Sequence, residues 1–471
     1  MPVLRVLPAL PALLLATCTA LVLASCPAEP AAPSGPNVLV IAVDTLRADA
    51  LGVQGGRDGV SPRIDALAAE GAHFRAAFAH APWTLPSFSS LFTSLPPEAH
   101  GAGGDVREGW RALSEDRTTI AERFQDAGWS THAIVNVDFL TEPFGTMQGF
   151  ADVDAHAASD NHATRRAEAT TDAALQWIDG RPPDKGGARP FFLFVHYFDP
   201  HAEYDPPPAW RARFALEQDQ SSTAFRFGAR EHVVNHRGGR MPLDAATLAR
   251  ARALYDGEVA YTDHEIGRLL DGLRARGLDP NTIVVLTSDH GEEFGEHGSW
   301  EHGHTHFDEL LHVPLVIRAP GIAPRSRTEP VGLVDVAPTV CALAGVPAAP
   351  SFRGRDLSRA LVAGGELPPF TGLAAYGNFW GAAIESWRGA RWKRIDSGTN
   401  TRLYDWVDDP REQHDRAATE AGVLQDSRAE SREDLRRLDA IPPRRGPPAT
   451  ADDRARERLH RYGYTGGERD H

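Results

Sequence analysis

Lysine is almost missing from this chain of 471 residues: only Lys185 and Lys393 occur, so a site that grips an anion with ammonium groups has few places to be. Cysteine is nearly as scarce, at Cys18, Cys26 and Cys341. The first lies inside the N-terminal apolar stretch and the second closes it, which leaves Cys341 without a partner and excludes an intrachain disulfide framework. Excess positive charge is lacking too. A formal net charge of −15 argues against non-specific nucleic-acid binding. It does not exclude phosphate chemistry, because arginine is plentiful and a bound metal reverses the local field. There is no internal repeat, and no multispan membrane region precedes the segment that begins near Asn37.

What the first residues do contain is an export signal. Arg5 is followed by an apolar stretch that ends Leu21-Val22-Leu23-Ala24-Ser25-Cys26, the pattern of a signal sequence with a small-residue cleavage region. Its ending resembles a bacterial lipoprotein signal, which implies removal of residues 1–25 and lipidation of Cys26. An ordinary signal peptide or an uncleaved anchor is the plainer alternative, since about 20 apolar residues span a bilayer. Every version exports the chain to the cell envelope. Residues 26–36, rich in Ala, Pro and Ser, read as a tether.

Two apolar runs carry the fold. Val38 to Val43 lead into Asp44, and Ile283 to Leu286 lead into Thr287-Ser288-Asp289-His290-Gly291-Glu292. Neither run alternates with polar residues, which suits strands buried on both faces of a parallel sheet. Ligands of open α/β sheets bind beyond the carboxyl ends of such strands, so Asp44, Thr84, Asp289 and His290 are expected at one edge. Ser61-Pro62 opens a helix, and Leu254, Val259, Ile266, Leu269, Leu270 and Leu273 recur at helical spacing up to Gly277, a C-cap. Further strands are expected over Ser130 to Val137, Phe191 to Phe198 and Val313 to Ile317, and a helix over Val336 to Leu343. Alternation of this kind predicts an α/β fold with helices flanking a mostly parallel sheet over residues 37–366. Residues 367–441, richer in Gly, Trp and Arg, suit a smaller antiparallel sheet. Residues 442–471, charged and proline-rich, suit weak order.

From Pro36 to about Glu412 the motifs, in order, resemble the sulfatase family of the alkaline phosphatase superfamily. Pro36 to Asp44 is similar to its opening strand with a metal-binding aspartate. Pro82-Trp83-Thr84-Leu85-Pro86-Ser87-Phe88 is similar to its nucleophile segment, Asp199-Pro200-His201 to its substrate-side histidine motif, and Thr287 to Glu292 to its second metal motif. The segments Val313 to Gly321 and Leu403 to Pro410 are similar to the family's later core and C-terminal subdomain. The resemblance implies a divalent metal ion held by Asp44, Asp289 and His290, with Thr84 coordinating and attacking as an alkoxide. The donor set suits Mn²⁺, Zn²⁺, Mg²⁺ or Ca²⁺.

The departures bear on the chemistry. The family's nucleophile is a Cys or Ser oxidised to formylglycine, with an arginine four residues on; here Thr84 and Phe88 stand at those places. Oxidised threonine would be a ketone. An aldehyde hydrate attacks with one hydroxyl and expels sulfate through the other, whereas Thr84 has one hydroxyl and needs a second in-line attack on its covalent intermediate. Superfamily enzymes perform that attack at phosphorus. Thr45 replaces the family's second aspartate, which puts a calcium site in doubt. Neither lysine falls at the family's sulfate-binding positions: Asn136 lies in the first such segment, as a donor to a phosphoryl oxygen, and His302 occupies the second, as a proton donor to the leaving oxygen. His201 takes a substrate-side role.

Other residues receive plainer readings. His196, Asp199 and His201 after one strand, and His297, His302, His304 and His306 in another segment, leave room for a second metal, although the spacing is no clear match. For His196, His297, His304 and His306 loop hydrogen bonds are the simpler account. His80 and His100 read as structural, Arg47 and Asp49 as fixing a loop, Asp335 as a helix cap, and Glu292 and Glu293 as supports of His290. The expected function is an exported, lipid-anchored metallohydrolase of small or envelope-derived phosphate mono- or diesters. A sulfuric ester hydrolase, an envelope phosphoglycerol or phosphoethanolamine transferase, and a degenerate sulfatase-fold binding protein are the alternatives.

Overall fold

Alternate residues of the first strand, β1 (Asn37–Val43), point into different cores, and the rest of the architecture follows from that. In a computed structural model describing residues 1, 34–105, 109–156, 165–181, 189–215, 243–380, 383–438, 441, 445–449 and 451–461, Val38, Val40 and Ala42 join one buried cluster and Leu39, Ile41 and Val43 another. A strand apolar on both sides must be covered on both sides. The signal sequence, Cys26 and nearly all of the tether lie outside the described residues. Among the described residues no helix is long and apolar enough to cross a membrane.

The remaining strands of the main sheet are β2 (Ala72–Phe78), β3 (Ser130–Val135), β4 (Asp152–Ala155), β5 (Phe191–Tyr197), β6 (Thr282–Thr287), β7 (His312–Arg318) and β8 (Arg325–Arg327), with the short Val331–Gly332 beside β2. Their order is β8-β2-β7-β6-β1-β5-β3-β4. The five strands from β6 to β4 are mutually parallel, as the unbroken apolar runs predict. The expected strand at Val313 is present as β7 but runs antiparallel to both neighbours, and the register shifts between Val313 and Leu315, where Pro314 donates no hydrogen bond. Helix α1 (Pro62–Glu70), α2 (Thr84–Thr93), α3 (Ile120–Asp126), α4 (Ala167–Gly180), α5 (Ala245–Ala275) and α6 (Val336–Ala344) flank the sheet. Helix α5 begins at Asp244, whose side chain accepts from Thr247 N, and stops before Gly277 at φ +67°, a left-handed conformation that suits glycine.

A separate antiparallel sheet of four strands, β9 (Leu373–Tyr376), β10 (Ile384–Arg388), β11 (Trp392–Ser397) and β12 (Asn400–Asp405), forms where the composition changes. It packs Ile384, Ile395 and Tyr404 around Phe307.

Of residues 442–471, where weak order was expected, 445–449 and 451–461 are described and the rest lie outside the described residues. Pro447 O accepts from Ala112 N, Trp110 O accepts from Ala449 N, and Pro448 bridges Arg111. A helix follows over Asp453–Arg461, and Ala451, Ala455 and Leu459, four residues apart, are buried in the main core. Charge on the other faces hid this stripe from a compositional reading. Leu459→Ala is expected to cost about 2 kcal/mol, the low end for a buried leucine because a terminal helix can detach, measured by urea unfolding.

Candidate active site

Parallel strands with adjacent carboxyl ends bring the site together. Asp44 follows β1, Asp289 and His290 follow β6, His201 follows β5, and the register that pairs Ala42 with both Thr287 and His196 levels these ends. Thr84 is the first residue of α2, a helix whose every side chain is buried, so its hydroxyl sits at the positive end of the helix dipole. His290 Nε2 is 3.4 Å from Thr84 Oγ1, 3.3 Å from Asp289 Oδ2 and 3.8 Å from Asp44 Oδ1. One ligand atom from each of Asp44, Asp289 and His290 lies within 4.8 Å of the other two.

The donor chemistry of this group calls for a cation. His290 Nδ1 is 3.0 Å from Gly291 O, and a carbonyl only accepts, so Nδ1 carries the hydrogen and the neutral ring turns the lone pair of Nε2 toward two carboxylates. Asp44, Asp289 and His290 are all 0% exposed, and both oxygens of Asp44 and Oδ2 of Asp289 have no hydrogen-bond partner among the described residues. Buried acceptors facing acceptors are costly unless an ion lies between them. Burial and the charge of Asp44 push the Asp289 carboxyl well above its usual range. Burial would also raise Asp44, but His196, His201 and His290 outweigh it and hold that carboxyl below its usual value. Burial lowers the His290 imidazole, which suits a neutral ligand. The residues therefore fit a divalent metal ion.

The loop after β1 is held in an unfavourable backbone. Thr45, β-branched, has φ +53°, a region such residues seldom occupy. Its carbonyl accepts from the Tyr255 hydroxyl at 2.9 Å and its N–H points at Asp289 Oδ1 at 3.4 Å. Ser288 Oγ accepts from Leu46 N, and Ser87 Oγ donates to Asp289 O, which ties the nucleophile helix to the metal motif. Arg47 pairs with both oxygens of Asp49 and reaches Glu292 O and Glu296, so it fixes the loop as expected.

Two further histidines meet the group. The His302 ring lies 4.5 Å from that of His290 and 5.0 Å from that of His201. His302 Nδ1 is 2.8 Å from Glu292 Oε1. Glu292 thus supports His302 and not His290, and Glu293 supports His304 and the backbone of His297 and Ser299; both corrections stem from a loop that folds back ten residues on. His201 Nδ1 is 2.6 Å from Ala202 O, which fixes the hydrogen on Nδ1 and leaves Nε2 the basic nitrogen; burial lowers its pKa, with Asp44 opposing.

Asn136 does not match its expected role as a donor to substrate. It is buried, its Nδ2 donates to Thr170 Oγ1 at 3.1 Å and to His196 O, and its Oδ1 accepts from Arg165 Nε at 2.8 Å. Both amide hydrogens are committed because the residue closes the gap between β3, β5 and α4. Asp199 caps α4 through Ala167 N at 3.0 Å, with burial pushing its carboxyl up to about 6. His297 stacks on Phe307 and pairs with Glu309, and His306 binds Ser386 and Gly377 O, so these histidines bind the small sheet. His80 and His100 are buried on backbone carbonyls, with burial pushing them down to about 4 and about 3. Asp335 caps one turn earlier than expected, accepting from Gly332 N, and holds Arg355. Phe88, where the family has arginine, packs its ring against Phe92, Phe194 and His196. His196 is the residue that the sequence undervalued. Its one signal was a polar side chain inside an otherwise apolar buried strand.

Sheet and site together place the chain in the alkaline phosphatase superfamily. Residues 36–346 match the model of the Sulfatase family, and the chain belongs to the sulfatase family. It is 26% identical over 382 residues to an arylsulfatase of Clostridium perfringens, covering 68% of this chain and 77% of that one. The phosphonate monoester hydrolase of Agrobacterium radiobacter shares the fold at a TM-score of 0.67 and 24% identity, with 86% of this chain and 95% of that one covered. A structure described as a complex with its substrate D-glucosamine-2-N,6-O-disulfate superposes at a TM-score of 0.72 and 22% identity, covering 87% and 99%.

Proposed function

We propose that this sulfatase-family hydrolase is an exported metallohydrolase that cleaves phosphate mono- or diesters through a phosphorylated Thr84. The observation that carries the reading is Thr84 Oγ1 at 3.4 Å from His290 Nε2, with the carboxylates of Asp44 and Asp289 on the same nitrogen. A divalent cation held by Asp44, Asp289 and His290 would supply the positive charge that favours the alkoxide of Thr84 and offsets charge on the transferred group. Thr84 Oγ attacks phosphorus, a new oxygen–phosphorus bond forms and the bond to the ester oxygen breaks. His302, with Nδ1 engaged by Glu292, delivers its proton to the departing oxygen from Nε2. Water then attacks phosphorus in line, gives a proton to the same imidazole, and Thr84 leaves. His201, with Nδ1 held on Ala202 O and its ring 5.0 Å from that of His302, would contact the transferred group through Nε2 when that nitrogen is protonated. The lipoprotein-like ending at Cys26 supports membrane anchoring at the cell envelope.

Phosphorus is favoured over sulfur because threonine cannot form an aldehyde hydrate, and because neither Lys185 nor Lys393 falls where the resemblance places sulfate-binding lysines. The relatives carry names of both kinds, sulfatase and phosphonate monoester hydrolase, so sulfuric ester hydrolysis is the second reading. Purified protein loaded in turn with Mn²⁺, Zn²⁺, Mg²⁺ and Ca²⁺ should cleave an aryl phosphodiester with kcat/KM about tenfold or more above that for an aryl sulfate. Preferential sulfate cleavage, abolished by Thr84→Ala, would reverse the assignment. Metal-free protein inert with every ion would instead mark a degenerate site.

A further inference from the structure

We propose that His196 is a positioning residue for the cation site: its Nε2–H donates to Asp44 Oδ2 and so turns Oδ1 toward Asp289 and His290. The inference rests on reading Asp44, Asp289 and His290 as cation ligands. The two oxygens of Asp44 face different partners, since Oδ2 is 3.4 Å from His196 Nε2 and Oδ1 is 3.8 Å from His290 Nε2. His196 is not among the three residues whose ligand atoms all lie within 4.8 Å of one another, which suits a place behind Asp44 rather than a share in its ion.

The histidine has no competing task among the described residues. It is 0% exposed, and neither ring nitrogen has another hydrogen-bond partner there. A buried imidazole without partners is costly, and Asp44 Oδ2, an equally unpartnered acceptor, is the group within reach. At 3.4 Å the pair lies at the long end of hydrogen-bond distance.

The surroundings hold the ring in that place. The edge of Phe88 meets it at 5.5 Å and 77°. The His196 carbonyl accepts from Asn136, whose amide is pinned by Thr170 and Arg165. A chain of contacts thus runs from Arg165 through Asn136 and His196 to Asp44. Its purpose follows from Thr45: with no second aspartate beside it, Asp44 alone supplies the opening-strand carboxylate, and its rotation decides whether the ion finds an oxygen there.

The test is Mn²⁺ binding to metal-stripped protein, followed by calorimetry and electron paramagnetic resonance, with thermal melting as the check on folding. His196→Met, which fills the space with an adaptable apolar chain, is expected to weaken the Mn²⁺ Kd about 10–100-fold and alter the Mn²⁺ spectrum, and His196→Gln, which keeps a donor, to recover affinity to within about tenfold of the original. If the methionine protein does not fold, His196→Leu replaces it in the comparison. An apolar variant that binds Mn²⁺ as the unaltered protein does, or a glutamine variant as weak as the apolar one, overturns the proposal. Asp289→Asn separates the two levels: it abolishes Mn²⁺ binding if the cation reading holds and only the His196 inference fails, whereas no Mn²⁺ binding by the unaltered protein sinks both.

Discussion

Thr84→Ala should lower kcat/KM for an aryl phosphodiester by about 10³-fold or more while leaving the fold intact. The change removes the hydroxyl and one methyl group from the first residue of α2, where alanine is a good helix former, so stability should move little. What goes is the atom that becomes bonded to phosphorus. Thr84→Ser keeps that atom and should stay within about tenfold, limited by the looser rotamer of an unbranched side chain. Acid-quenched protein should carry phosphate on Thr84 in the threonine and serine forms and none in the alanine form, read by peptide mass spectrometry. An alanine protein that keeps its rate would show that water attacks the ester directly and that Thr84 is at most a ligand. That outcome is informative because Asp44, Asp289 and His290 would still be in place to hold a cation.

The distinction between what was legible in the sequence and what was not follows the range of each interaction. Strand ends were legible because Val38 to Val43 and Ile283 to Leu286 announce burial on both faces, and parallel pairing then forces Asp44 and Asp289 to one edge. Thr84, His201 and His302 reached the same edge through motif order. The second partners were not legible, because they depend on loop closure over distances that spacing does not encode. Glu292 and His302 meet only when residues 293–301 fold back, and Asn136 is spent on Thr170 and the His196 carbonyl because α4 lies against β3 and β5. His196 looked like an ordinary loop histidine until register set it two residues from the level of Asp44 on the same face. The antiparallel course of β7 is likewise invisible in its composition.

The second large effect concerns stability and the scarce lysine. Lys393→Met should destabilise the fold by about 3–5 kcal/mol in urea titrations at neutral pH, the range for breaking one side of a buried ion pair. Lys393 Nζ is 2.6 Å from Asp308 Oδ1 and 2.7 Å from Glu412 Oε1, with the Lys393 side chain 1% exposed and that of Glu412 fully buried. Asp308 keeps a second cation, Arg388, so its carboxyl remains well below the usual range. Glu412 would keep only the charge of Arg388, which lowers its carboxyl less than Lys393 does. Burial first, and then the charge of Asp308, already push its carboxyl up to about 7 against the pull of Lys393. A carboxyl raised in the folded state contributes stability that is full below its unfolded pKa and is lost as pH rises through the folded one. Without the ammonium that loss deepens and extends upward, so the penalty of Lys393→Met should grow from about pH 5 to about pH 8. Lys393→Met with Glu412→Gln removes both charges and keeps an oxygen for Asp308 N, which now donates to Glu412 Oε2 at 2.7 Å, so the double variant should recover much of the loss. A penalty that is flat with pH, or a double variant no more stable than Lys393→Met, would show that the lysine stem and not its charge holds β11 against the segment before β7.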